Sequence, residues 1–325
     1  MRPILYCAAL LLLLPASAFG QDPALRVEAV QLLEKANGAS MSPHLPNLER
    51  TDQFRVLDTS SPSREGTFTR VVVQGVGRRE EINFGDFHTV DVWTNAGLIT
   101  TRKSDLMPLE IQNLMRIAPM LFQRFDETDV VRTVVDKAGS AGKKLRCVEF
   151  DTIQGQKIQN NNEFCFNSLD GTMVSEKLDA DLIEYSDYFP FAGALMPGRI
   201  LFSSNGRQKL DISQTLVELK DSTDNVLAAP PNSVVRTMCK TYRRAIGQSM
   251  PQPKVGYGGR DLDIAVRGVI QTDGRVGEVV VDSTERPDLT AEALALVQGW
   301  TFSPALCDGN VNTEVATFIV HFRGR

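Results

Sequence analysis

Along most of this chain apolar and polar residues alternate with the period of two that marks half-buried strands. The alternating runs are Thr67–Gln74, Glu81–Phe84, His88–Trp93, Leu98–Arg102, Val130–Val135, Leu145–Thr152, Phe164–Asn167, Thr172–Leu178, Asp181–Tyr188, Arg199–Ser203 and Leu210–Leu219. Two stretches of helical period interrupt them. Pro23–Ala36 carries Leu25, Val27, Val30, Leu32 and Leu33 and stops at Gly38. Pro108–Phe125 sets Ile111, Leu114, Met115, Ala118 and Phe122 on one side, with Pro119 expected to kink or split it. Ser40–Glu49 and Asp58–Glu65 hold prolines and serines and read as loops. The order predicts a curved antiparallel half-barrel with helices over residues 21–222.

Residues 223–251 form a connection, marked by Ala228-Ala229-Pro230-Pro231. Within it Val234, Val235, Met238, Tyr242 and Ile246 are spaced for a short helix ending at Gly247, and a strand over Val234–Tyr242 fits the same residues. Met250-Pro251-Gln252-Pro253 is a stiff entry to a last module, residues 252–325. There Asp273-Gly274 suits a two-residue hairpin turn with positive φ at both central positions. Such a turn pairs Ile270 with Gly277, Gly268 with Val279 and Val266 with Val281. Leu262, Ile264, Val266, Ile270, Val279 and Val281 then share one face, and Asp263, Arg267, Glu278 and Asp282 the other. Asp288 is placed to N-cap a helix carrying Leu289, Ala293, Leu296 and Val297, ended by Gly299. After Trp300-Thr301-Phe302, a strand from Val311 to Phe322 alternates Ala316, Phe318, Val320 and Phe322 with Thr313, Val315, Thr317 and Ile319. The expected fold class is α+β: an antiparallel curved half-barrel sheet with helices, followed by a small strand-strand-helix-strand module.

The last module resembles the C-terminal domain of TonB, the envelope energy transducer. The matching residues are Asp273-Gly274-Arg275-Val276, Val279 to Ser283, Leu289, Trp300-x-Phe302-x-Pro304-Ala305, Gly309 and a strand ending in Phe322. Residues 253–261 depart from the proline-tyrosine-proline entry usual in that family. The resemblance implies docking through a sheet edge to a short extended segment of an outer-membrane transporter, to another component of a TonB system, or to a second copy. Residues 24–222 resemble, more loosely, the half-barrel of LolA-type periplasmic lipoprotein carriers, on Asp181-Leu-Ile-Glu184-Tyr185, Met196-Pro197-Gly198-Arg199-Ile200 and the strand Leu210–Leu219. That resemblance implies an apolar ligand, such as lipid, in the concavity of the sheet as the alternative role.

Residues 1–20 read as a cleavable signal peptide: Arg2, then an apolar run with five consecutive leucines, then Ala18-Phe19-Gly20. The run is shorter than the roughly 20 residues a bilayer span needs. Export to the periplasm makes disulfides the expected state of Cys147, Cys165, Cys239 and Cys307. Three connectivities exist for four cysteines. Hairpin register, with the chain folded about Gln156 and Val148 opposite Phe164, favours Cys147 with Cys165 and leaves Cys239 with Cys307.

A net charge of −5 without a basic stripe argues against nucleic acid as a partner. Gly139 to Lys144 lacks the spacing of a phosphate loop, Gly75-Val76-Gly77 lacks a third glycine, and His44, His88 and His321 have no nucleophile near them in a recognised arrangement. No enzyme activity, cofactor or metal is expected. The expectation is an exported docking protein, accessory to TonB-type outer-membrane transport, with Thr313, Val315, Thr317 and Ile319 as the partner-binding positions. N-terminal sequencing of the protein from the periplasm should begin at Gln21. Material beginning at Met1 would show a retained leader instead.

Overall fold

The computed structural model describes residues 22–40, 46–57, 64–95, 97–102, 105–117, 124–139, 142–154, 157–220, 225–236, 238–253, 261–283 and 286–324. The leader, His44, Ala118, Pro119, Phe122 and Gln156 lie outside them. In chain order, helix α1 (Pro23–Ser40) precedes strands β1 (Leu48–Val56), β2 (Arg64–Val73), β3 (Gly77–Phe84), β4 (Phe87–Thr94) and β5 (Gly97–Thr100). Helix α2 (Leu109–Ile117) follows, then β6 (Asp129–Ala138), β7 (Lys144–Gln154), β8 (Lys157–Asn167), β9 (Met173–Leu178) and β10 (Asp181–Ser186). Next come β11 (Phe189–Phe191), β12 (Ala194–Met196), β13 (Arg199–Ser204) and β14 (Arg207–Glu218). The connection holds β15 (Val234–Arg236), β16 (Tyr242–Arg243) and β17 (Ile246–Ser249). The last module has β18 (Leu262–Ile270), β19 (Val276–Ser283), α3 (Thr290–Gln298), β20 (Thr301–Ser303), β21 (Ala305–Cys307), β22 (Asn310–Asn312) and β23 (Glu314–Phe322). Among the described residues no helix is long and apolar enough to cross a membrane.

The chain divides into two compact units, residues 1–43 with 120–208 and residues 44–119 with 209–325. In the first, the strand order is β13-β10-β9-β8-β7-β6. Helix α1 buries Ala29, Leu33 and Ala36 in a cluster with Val131, Val148, Phe150, Phe164 and Phe166. It runs past Gly38, where it was expected to stop, because Ser40 one turn beyond Ala36 is also buried. Val27, expected on the apolar side, is exposed. Cys147 lies directly opposite Cys165, and Val148 opposite Phe164, as the hairpin register requires. The Cys147–Cys165 disulfide is formed.

In the second unit the strands run β15-β5-β4-β3-β2-β1-β14, and α2 buries Ile111, Leu114 and Ile117 completely. Both runs are antiparallel and curved, and neither returns on itself to close a barrel. Strand β1 was not expected. Its inward positions are Leu48, Arg50, Asp52, Phe54 and Val56, so two charges interrupt the apolar alternation. They pair with each other: Arg50 donates Nε and Nη2 to the two oxygens of Asp52 at 2.8 and 2.7 Å. The same face carries Arg70 and Arg78 on Glu80, and Arg102 on Asp91. Burial lowers the pKa of Arg70 against the opposing charge of Glu80.

The connection is extended, not helical. β15 pairs with β5, β16 with β21 and β17 with β20. The Cys239–Cys307 disulfide and the Asp308 carboxylate, which accepts the Thr241 amide at 2.7 Å, pin it to the turn after β21. A chain tied down at those points gains more from three ladders than from one unsupported helical turn.

Asp52 is fully buried, and removing one partner of a buried ion pair is costly. Asp52→Ala should destabilise the protein by about 3–5 kcal/mol, whereas Arg50→Met with Asp52→Leu should recover most of the loss. Urea-denaturation midpoints measure both. A double variant no more stable than the single one would contradict this account of β1.

Candidate docking edge

The last module is a three-stranded sheet in the order β19-β18-β23 with α3 on one face. Ile264, Val266, Ile270, Val276, Leu289, Ala293, Val297, Trp300, Phe318, Val320 and Phe322 form its core. The hairpin differs from expectation at its tip. The Gly274 amide bonds the Gln271 carbonyl at 2.9 Å, and of the two turn residues only Gly274 has positive φ, at 82°. Ile270 therefore meets Val276 instead of Gly277. A bulge at Glu278, with φ at 44°, restores the expected pairing of Val266 with Val281. A Cβ on Gly274 would lie 2.0 Å from the Phe302 carbonyl oxygen, so glycine is required there. Asp288 does not cap α3. It sits in a short 3₁₀ turn, Pro287–Leu289, and its carboxylate pairs with Arg286 at 2.8 and 2.6 Å.

The expected final strand is broken at Thr313 into β22 and β23. β23 pairs with β18 on one side, from Leu262 opposite Phe322 to Ile270 opposite Glu314, without a register shift. Among the described residues no strand pairs with its other side. In an antiparallel strand the residues that share a face also send their amides to the same edge. Phe318, Val320 and Phe322 face α3 and give their amides to β18. Val315, Thr317, Ile319 and His321 send theirs outward. The His321 amide shows this directly, since it donates to Gln252 Oε1 at 3.0 Å. Val315 is 37% exposed, Ile319 41%, and Thr317 is exposed between them.

Thr313, the fourth expected position, is engaged within the chain. Its Oγ1 donates to Asp105 Oδ2 at 2.6 Å, and the other Asp105 oxygen pairs with Arg236. Two residues on, the Met107 carbonyl accepts Arg267 Nη1 at 2.7 Å. Arg267 lies on the side of the sheet away from α3, as expected, but is buried there instead of solvated. In the connection β15 pairs with β5 and β16 with β21, so neither covers the outer edge of β23. Asp105 stands in an irregular segment, and no pattern in the sequence points to it. Gln252 carries a faint signal, because a residue between two prolines is held extended.

An edge of this kind can accept a strand through backbone hydrogen bonds. Among the described residues the other candidate chemistry does not assemble. His88 touches Glu81 at 3.4 Å and His321 touches Asp263 at 2.6 Å, both exposed. Cys147, Glu163 and Cys165 lie close together, but both sulfurs are in the disulfide. A cleft of about 620 Å³ in the second unit is lined by polar and apolar residues together, among them Gln53, Phe54, Arg55, Thr67, Phe84 and Asp211.

Residues 259–323 match the family described as the Gram-negative bacterial TonB protein C-terminal domain. Several solved structures are similar to the chain at low identity. A LolA superfamily protein from Nitrosomonas europaea is 11% identical, covering 61% of this chain and 96% of that one, with a TM-score of 0.41. A DUF1329 family protein from Desulfovibrio piger is 8% identical over 62% of this chain and 96% of its own, with a TM-score of 0.43. The Pseudomonas aeruginosa MucA/MucB complex gives 14% identity over 85% of this chain and 98% of that one, with a TM-score of 0.30. No curated protein matches the chain in sequence.

Burial would raise the pKa of Asp105, but hydrogen bonds from Thr313 and Arg236, with the charges of Arg236 and Arg102, hold it below the usual carboxylate value. The stability this adds is present above the unfolded-state pKa of about 3.9 and is lost as pH falls through the lower folded-state value. Asp105→Asn should therefore cost about 1 kcal/mol at neutral pH, limited by solvent screening. The gap between its urea midpoint and that of the wild type should narrow as the pH falls below about 3.9. A gap that stays constant over that fall would contradict this role for the Asp105 charge.

Proposed function

We propose that this is a non-enzymatic periplasmic protein of a TonB-type envelope system that docks to its partner by strand addition along β23. The observation that carries the reading is the unpaired second edge of β23. Native proteins blunt long sheet edges with lysine, proline or a bulge. The nine residues of β23, Glu314 to Phe322, contain neither lysine nor proline, and their register is unbroken. An outward row of Val315, Thr317 and Ile319 offers a strand both backbone bonds and apolar side chains to pair with. The match of residues 259–323 to the TonB C-terminal family supports an envelope partner. The partner proposed is an extended segment of an outer-membrane transporter or of another component of that system.

Thr317→Pro removes one outward donor, and proline is tolerated on an edge strand where its nitrogen faces away from the ladder. The variant should fold with an unchanged circular-dichroism spectrum. It should bind the co-purified, mass-identified envelope partner about tenfold more weakly or worse, at about 1.4 kcal/mol per tenfold. Ala316→Pro, one residue away, removes a donor to β18 and should destabilise the fold itself. Undiminished binding by folded Thr317→Pro would place the docking site elsewhere. Concentration-dependent dimerisation lost in the same variant would identify a second copy as the occupant.

A further inference from the structure

We infer that the acceptor edge is a bounded window, Val315 to Ile319, closed at one end by a side chain of this same chain and at the other by the break in the strand at Thr313; the inference rests on the reading of β23 as the docking edge. At one end the stop is Gln252. Its Oε1 takes the His321 amide at 3.0 Å, which is the next outward donor after Ile319. Gln252 is held where it stands, because the carbonyl of Pro251 accepts the indole N–H of Trp300 at 3.0 Å and Trp300 is buried in the module core. Prolines on both sides restrict the backbone of Gln252 further. At the other end the stop is the break in the strand at Thr313, whose Oγ1 is held at 2.6 Å by Asp105, itself anchored by Arg236. The next residue is tied as well, since the Glu314 carboxylate accepts the Ala245 amide at 2.6 Å.

Between the stops three outward residues remain: Val315, Thr317 and Ile319. A strand laid along them is about five residues long, roughly 17 Å at 3.3–3.4 Å per residue. Its first, third and fifth side chains stand opposite Val315, Thr317 and Ile319 on the face away from α3. Direct cross-strand pairs favour apolar residues against Val315 and Ile319 and a β-branched residue against Thr317. The fitting partner is thus a short extended segment patterned apolar–x–β-branched–x–apolar. Extra residues beyond Ile319 gain no ladder bonds unless Gln252 is displaced, and beyond Val315 the strand itself ends.

Amide hydrogen exchange by NMR on the full mature chain tests the window without a partner. Val315, Thr317 and Ile319 should exchange quickly, while Phe318, Val320 and Phe322 should be protected. His321 should be protected in the wild type, fast in Gln252→Ala, and protected again in Gln252→Glu, which keeps an acceptor. Selection of a displayed random nine-residue peptide library on the wild-type chain should return the five-residue pattern, and Thr317→Pro should lose it. A His321 amide that is fast in the wild type, or unmoved by Gln252→Ala, overturns the window and leaves the docking reading intact. So does a selected pattern of seven residues or more. Protection of Val315, Thr317 and Ile319 in the free chain, no selected peptide, or selection that survives Thr317→Pro overturns the docking reading itself.

Discussion

One geometric constraint organises the last module. In a strand, side-chain face and amide direction alternate together. Burying Phe318, Val320 and Phe322 under α3 therefore commits their amides to β18. The same alternation sends the amides of Val315, Thr317 and Ile319 outward and leaves their side chains accessible. The hydrophobic core and the accessible outer edge are consequences of the same period of two. A one-residue slip of β23 would expose the aromatic row and reverse the edge together. The unbroken pairing from Leu262–Phe322 to Ile270–Glu314 is what prevents this.

Around that strand the chain fixes each flank by a different kind of bond. The Cys239–Cys307 disulfide and Asp308 hold the extended connection against the turn after β21. Trp300 holds Pro251, and through its neighbour Gln252 the top of β23. Asp105 and Met107 hold Thr313 and Arg267. These contacts bury a cation that strand alternation assigns to the helix-free face, where solvent is the ordinary environment. Arg267 lies directly opposite Thr317 and is buried on that face, while Val315, Thr317 and Ile319 stay exposed along the outer edge.

How much of this was legible in the sequence depends on what each residue faces. The core of the module was legible, since Ile264, Val266, Leu289, Ala293, Val297, Phe318 and Val320 follow their period without interruption. The Cys147–Cys165 pairing was legible because it follows from hairpin register. Strand β1 was not. Its buried face carries Arg50 and Asp52, whose mutual pairing cannot be seen until the chain is folded. The hairpin tip was misjudged by one residue because Asp-Gly serves both a two-residue turn and a turn followed by a left-handed glycine. The connection was ambiguous between helix and strand, and tertiary anchoring at Cys239 decided it. At the outer edge of β23 the outward row was readable from alternation, while Asp105 and Gln252 act through distant contacts that no local pattern encodes.

The central claim is that the outer edge of β23 meets a partner in the envelope. Site-specific photocrosslinking in living cells tests it most directly. A photoreactive residue at Thr317 or Ile319 should form an adduct with one envelope protein, or with a second copy of this chain. The same group at Leu169, which is 90% exposed on the other unit, should form none. Adducts absent from Thr317 and Ile319, or equally abundant from Leu169, would contradict the account.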